Sequence, residues 1–152
     1  MRKRNVVLLA VTIVIAMVSI GFLGYQTLLR NIYQSRSCEW ANIDNIELRT
    51  LIDIPATSDC DCIYDETADT KTVVFNLDLE LSEIMQYATN NGFTAVVTPE
   101  EIEFTALETR GNLNFASNNL WQKHALRENA ESYRMLLDPE SKQLFVSLKY
   151  LN

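Results

Sequence analysis

From Val6 to Gly24 the chain reads VVLLAVTIVIAMVSIGFLG, without a charge and with only Thr12 and Ser19 as polar residues. No other stretch limits the possible folds as tightly. At about 1.5 Å per residue, roughly 20 helical residues reach about 30 Å, the thickness of a bilayer hydrocarbon core. A soluble helix of that length needs a polar face, and this one has none. Thr12 and Ser19 can return their hydroxyls to the preceding turn, so neither argues against lipid.

The apolar run is too long for a removable h-region, and it leads into Tyr25-Gln-Thr-Leu-Leu-Arg30 without a small-residue cleavage site. No lipobox precedes Cys38. The reading is an uncleaved signal anchor. Arg2, Lys3 and Arg4 sit directly before the span, and Arg30 and Arg36 are more dispersed after it. The positive-inside bias therefore places the N-terminus in the cytoplasm and the C-terminus outside. Tyr25, Tyr33 and Trp40 follow the span, where amphipathic rings favour the membrane interface. The expected organisation is a cytoplasmic tail at 1–5, a transmembrane anchor at 6–29, a juxtamembrane stalk at 30–40 and an extracytoplasmic α+β domain at 41–152. The expected location is the plasma (inner) membrane, with the C-terminal domain periplasmic or extracellular. The lack of any N-x-S/T sequon leans toward a bacterial envelope.

Charge separates the two parts. From Asn31 onward there are 9 Lys and Arg against 20 Asp and Glu, a net charge of −11. Nucleic acid and anionic headgroups both require positive charge, so neither is an expected ligand of the outer part. A basic protein partner suits it better. The three cysteines, Cys38, Cys60 and Cys62, all lie beyond the span. In an oxidising compartment Cys38 can pair with Cys60 or with Cys62. The odd cysteine is then free or bonded to another chain. Together with the small residues Thr12, Ala16 and Ser19 on the span, it leaves room for a homo-oligomer.

The outer part reads as one unit with mainly antiparallel strands. Ile46-Glu-Leu-Arg-Thr-Leu-Ile-Asp-Ile54 alternates, with Ile46, Leu48, Ile52 and Ile54 on one side, and predicts a half-buried strand ended by Pro55. Lys71-Thr-Val-Val-Phe-Asn-Leu77 predicts a second strand after a polar loop. Leu81, Ile84, Met85 and Ala88 fall at helical spacing, and predict a helix over Glu80–Asn91 stopped by Gly92. Phe93–Val97 is β-prone. Thr98-Pro-Glu-Glu101 forms a capping box that favours a helix toward Gly111, against the strand-like alternation of Ile102, Phe104 and Ala106. Ser117–Asn129 is expected to be helical or irregular. Tyr133, Met135 and Leu137 alternate in one arm, and Leu144, Val146, Leu148 and Tyr150 in another. Between them Asp138-Pro-Glu-Ser-Lys142 predicts the turn of a C-terminal β-hairpin.

Signals for chemistry are few. Gly92 and Gly111 are the only glycines outside the apolar run, too few for a phosphate-cradling loop. His124 is the only histidine, in a surface-like setting. The one local cluster is the acidic loop Asp59-Cys-Asp-Cys-Ile-Tyr-Asp-Glu66 with Asp69, where Asp59, Asp61, Asp65, Glu66 and Asp69 are candidate ligands for a hard cation. Its spacing departs from an EF-hand, since Ile63 stands at a ligand position and no glutamate closes the loop. A basic start, a long apolar helix and a small α+β head also describe type IV pilin-like subunits. Those carry a cleavage site before the apolar run and a glutamate shortly inside it, and this chain has neither. No catalytic residue and no cofactor is implied. The expected role is protein binding at the membrane, as an accessory subunit of an envelope complex or an immunity- or inhibitor-type protein. A cation-binding sensor or enzyme built on residues 59–69 is the alternative.

Overall fold

The structure is a computed structural model that describes residues 2–96, 119–127 and 131–150. The chain divides into two units, Met1–Ser35 and Arg36–Asn152. The expected helix at Thr98–Gly111, and its competing strand at Ile102–Ala106, lie outside the described residues.

The first unit is one α-helix, α1, over Arg2–Gln34. Within it Val7–Gln34 is long and apolar enough to cross a membrane, and its window of highest hydropathy is wholly unburied. The polar side chains of this stretch turn back on the backbone. Thr12 donates to the Leu8 carbonyl at 2.9 Å, Ser19 to Ile15 at 2.8 Å and Thr27 to Leu23 at 2.9 Å, which hides each hydroxyl from an apolar surrounding.

The second unit is α+β. Its described strands are β1 (Thr57–Asp65), β2 (Thr70–Leu77), β3 (Thr94–Ala95), β4 (Trp121–Arg127), β5 (Glu131–Asp138) and β6 (Gln143–Lys149). They form one sheet in the order β1-β2-β6-β5-β4-β3, with every adjacent pair antiparallel. The C-terminal hairpin falls where the sequence predicts it, with Met135 opposite Val146 and Leu137 opposite Leu144. Its turn is built by Asp138, whose carboxylate accepts the N–H groups of Glu140 and Ser141 and the Ser141 hydroxyl. Lys142 then closes the turn with φ 56°. The β1–β2 hairpin repeats the device four residues apart, with Asp65 accepting the Thr67 and Ala68 N–H groups and Asp69 at φ 50°.

Three sequence expectations are corrected. The predicted strand at Ile46–Ile54 is instead a helix, α2 (Asn42–Thr50). Its buried residues are Asn42, Asn45, Ile46, Arg49 and Thr50, a helical stripe in which polar side chains face inward. An apolar alternation count ignores such residues, and so finds the wrong period. The helix ends at Leu51, whose φ of 57° lets its N–H return to the Glu47 carbonyl at 2.8 Å. Glu47 also accepts the Ile54 N–H at 2.7 Å, fixing the irregular segment through Pro55. The acidic loop Asp59–Asp69 is mostly strand β1 rather than loop. Residues 121–127, expected to be helical or irregular, form β4. Trp121 and Ala125 pack on the core there while His124 between them is exposed.

The core lies between one sheet face and two helices, α2 and α3 (Leu81–Asn90). Val73, Phe75, Leu77, Met135, Leu137, Leu144, Val146 and Leu148 meet Ile46, Ile84 and Ala88 in one cluster. Val74, Leu120, Leu136 and Phe145 are buried on the opposite face. Helix α3 matches its apolar spacing, and the Glu83 carboxylate accepts the Glu80 N–H at 2.9 Å to start it. Gly92 follows it at φ 68°, with its hypothetical Cβ no closer than 4.0 Å to the Lys123 ammonium nitrogen. Space is available, so only backbone strain opposes a side chain. Gly92→Ala is expected to cost about 1 kcal/mol in denaturant unfolding.

Candidate functional site

The chain enters the second unit at Arg36, and three successive residues fasten it to the β1–β2 hairpin. The Arg36 guanidinium reaches both carboxylate oxygens of Asp69 at 2.7 Å and the Tyr64 hydroxyl at 3.3 Å. The Tyr64 hydroxyl donates to Asp69 as well. The Ser37 carbonyl accepts from the Lys71 ammonium at 2.9 Å. Cys38 is disulfide-bonded to Cys62, with Cα atoms 5.6 Å apart. Of the two pairings open in the sequence, this is the one formed. Cys60 is free and exposed.

Behind this fastening lies a group of buried cations. Lys71 is 1 % exposed, and its ammonium also donates to Asn45 Oδ1 at 3.1 Å. Asn45 Oδ1 accepts the Tyr150 hydroxyl too, at 3.1 Å. The guanidinium groups of Arg49 and Arg36 lie 4.5 Å and 5.0 Å from the Tyr150 ring centroid, within cation–π range. Burial pushes the Lys71 ammonium down to about 8, and the Arg49 charge adds to the shift. Burial also pushes Tyr150 up to about 12, against the pull of Arg49 and Arg36.

The consequence for the surface is one-sided. Between Ser37 and Asn90 the only basic residues are Arg49 and Lys71, and both are buried. The same stretch exposes Glu39, Asp44, Asp53, Asp59, Asp61, Asp65, Glu66, Asp78, Glu80 and Glu83. The basic side chains that reach solvent among the described head residues from 119 on, Lys123, Arg134, Lys142 and Lys149, belong to β4, β5, β6 and the β5–β6 turn.

The candidate cation ligands are dispersed by this arrangement. Asp59 and Asp61 lie on one side of β1, opposite Asn76 and Val74 of β2. Asp65 is engaged by turn amides and Asp69 by Arg36 and Tyr64. Among the described residues no group of three or more His, Cys, Asp or Glu side chains could hold a metal ion. Tyr25 and Tyr33 are exposed on α1, and Trp40 is exposed just after Cys38. The residues that the sequence did not single out are Asn45, Arg49, Lys71 and Tyr150. The available signal was two cations inside apolar, strand-like runs.

Comparison with known proteins finds no matching family model, no matching curated protein and no matching solved structure.

Proposed function

We propose that the chain is a membrane-anchored protein-binding domain, with α1 spanning the bilayer, the N-terminus in the cytoplasm and the acidic head outside. The observation that carries the reading is the segregation of charge. A stretch of more than fifty residues turns ten carboxylates to solvent while its two cations are buried. A surface of that kind raises the local concentration of basic partners and speeds their encounter, and it repels nucleic acid and anionic lipid. The exposed apolar length of α1 supports the anchor, and the Cys38–Cys62 bond suits an oxidising compartment outside the cytoplasm. The partner is a basic protein. It is either an assembly neighbour in the envelope or an enzyme or toxin that the head neutralises.

The test is chemical crosslinking in intact native membranes followed by mass spectrometry, with an impermeant maleimide applied in parallel to report Cys60. One stoichiometric protein attached to the head, with Cys60 labelled from outside, is the expected result. Its identity separates assembly subunit from inhibitor. Reproducible absence of any attached protein would sink the binding reading, and labelling of Cys60 only after lysis of the inner membrane would reverse the orientation. For the cation alternative, Asp61→Asn with Asp65→Asn should abolish activity and leave the fold intact. Wild-type behaviour of that double variant ends it.

A further inference from the structure

Among the described residues strand β1 is an edge of the sheet: β2 lies on one side of it and no described strand pairs with the other. Ser58, Asp59, Cys60 and Asp61 at its middle are exposed. An edge of this kind carries a row of backbone donors and acceptors ready to pair with another strand, and natural sheets usually protect it. The protection is visible at Cys60. Its N–H is met by the neighbouring Asp59 carboxylate at 2.8 Å, not by a strand. A register shift between Thr57 and Asp59 adds a local irregularity at the same place.

The charges that protect this edge also select what can cover it. If two copies paired antiparallel about Cys60, Asp59 of each would stand opposite Asp61 of the other. Like charges directly opposite across a strand pair are destabilising. A strand with basic side chains reverses the sign of both contacts. Its carbonyl takes over the Cys60 N–H, and its cation takes the Asp59 carboxylate that this releases. Asp65 at the end of β1 and Glu66 just after it add to the same charge, and residues 37–90 expose no cation.

We infer that β1 is a docking edge that accepts an extended, basic segment of a partner protein as a seventh strand, with Asp59 and Asp61 reading its charge. The inference rests on the protein-binding reading above and specifies where and how the partner is held. Main-chain hydrogen bonds supply the affinity in such strand addition, and side chains supply the selection.

The test uses the full chain in nanodiscs of zwitterionic lipid, and a synthetic nonapeptide of alternating lysine and threonine as the probe. Hydrogen exchange of the β1 amides is followed with and without peptide. The expected result is slowed exchange confined to Ser58–Asp61 and their neighbours in β1. Asp59→Asn with Asp61→Asn is expected to weaken binding about tenfold or more, because two charge contacts are lost while each side chain keeps its shape. Cys60→Pro, which removes only an outward N–H, is expected to abolish the protection. Equal binding by a peptide N-methylated at alternate residues would overturn the proposal, since such a peptide keeps the charge and cannot add a strand. Unchanged exchange in β1, or a Cys60-linked dimer that protects β1 without peptide, would overturn it as well. A native partner whose crosslinks fall away from Thr57–Asp65 would remove this edge and leave the binding reading standing.

Discussion

Replacing Cys38 and Cys62 together by serine is expected to lower the stability of the head by about 3 kcal/mol, or roughly 10 °C in melting temperature. The bond closes a sequence separation of 24 residues, and in the chain-entropy model a loop of that size loses about this much freedom in the unfolded state. The folded state contributes less to the difference. Arg36 still holds Asp69, and Lys71 still holds the Ser37 carbonyl, so the segment 36–38 keeps its place without the bond. The double replacement avoids leaving one half-buried thiol without its partner, and it keeps Cys60 as the sole thiol for labelling. Denaturant unfolding of wild type and variant, with the same slope in both, gives the number directly. A loss below about 1 kcal/mol would mean that the unfolded chain already keeps residues 38 and 62 close, and that the bond adds little.

The effect should be seen by reduction as well, and there it bears on location. Reducing the wild-type protein should reproduce the destabilisation of the double variant and leave the variant unchanged. If the protein from its native membrane carries the bond, the head has been in an oxidising compartment, which is the side of the membrane proposed for it.

Elements whose apolar residues alone define the period were legible in the sequence. The apolar residues of β5–β6, β2 and α3 that face the main core recur at one spacing within each element, Val73, Phe75 and Leu77 in β2 and Leu144, Val146 and Leu148 in β6 among them, and α1 carries the uncharged apolar run Val6–Gly24. Elements failed to show where polar residues carry the burial or where burial is absent. In α2 the inward stripe contains Asn45, Arg49 and Thr50, so its five buried positions include one aliphatic residue, Ile46. In β1 the exposed positions dominate, and three aspartates in nine residues read as loop because edge strands tolerate charge that interior strands do not. In β4 the alternation of Trp121, Lys123 and Ala125 is interrupted by a lysine whose ammonium is held by the Asn91 carbonyl. The candidate site was legible in part. Its acidic character and the participation of Cys38 and Cys62 follow from the sequence. The buried cations behind it do not, because placing Arg49, Lys71, Asn45 and Tyr150 together requires β2, β6 and α2 to be folded onto one another.

That buried group gives the second large expectation, a rise in stability of up to about 3 kcal/mol as pH increases from about 8 toward 10. The ammonium of Lys71 titrates near 10.5 in the unfolded chain and near 8 in the fold, because burial and the nearby Arg49 both disfavour its charge. Below about 8 it is protonated in both states, and the fold bears the full cost of the buried charge. Between the two values the unfolded state binds more protons than the native state, so stability rises with pH. The rise ends where the tyrosines enter. Tyr150 is pushed up to about 12 by burial and Tyr87 is raised further, also by burial. Above about 10 the unfolded chain therefore loses tyrosine protons that the fold retains, and stability falls again. The curve should pass through a maximum near pH 10. Lys71→Met should flatten its rising arm and raise stability near pH 7, since methionine fills the space without a charge to desolvate. The Ser37 carbonyl it releases belongs to an exposed residue and can meet water, and Asn45 Oδ1 keeps the Tyr150 hydroxyl. Unfolding midpoints of both proteins across pH 7 to 11 decide the matter. A rising arm that survives in the methionine variant would transfer the titration to another group, and a flat wild-type curve would mean that Asn45 and Ser37 solvate the ammonium as well as water does.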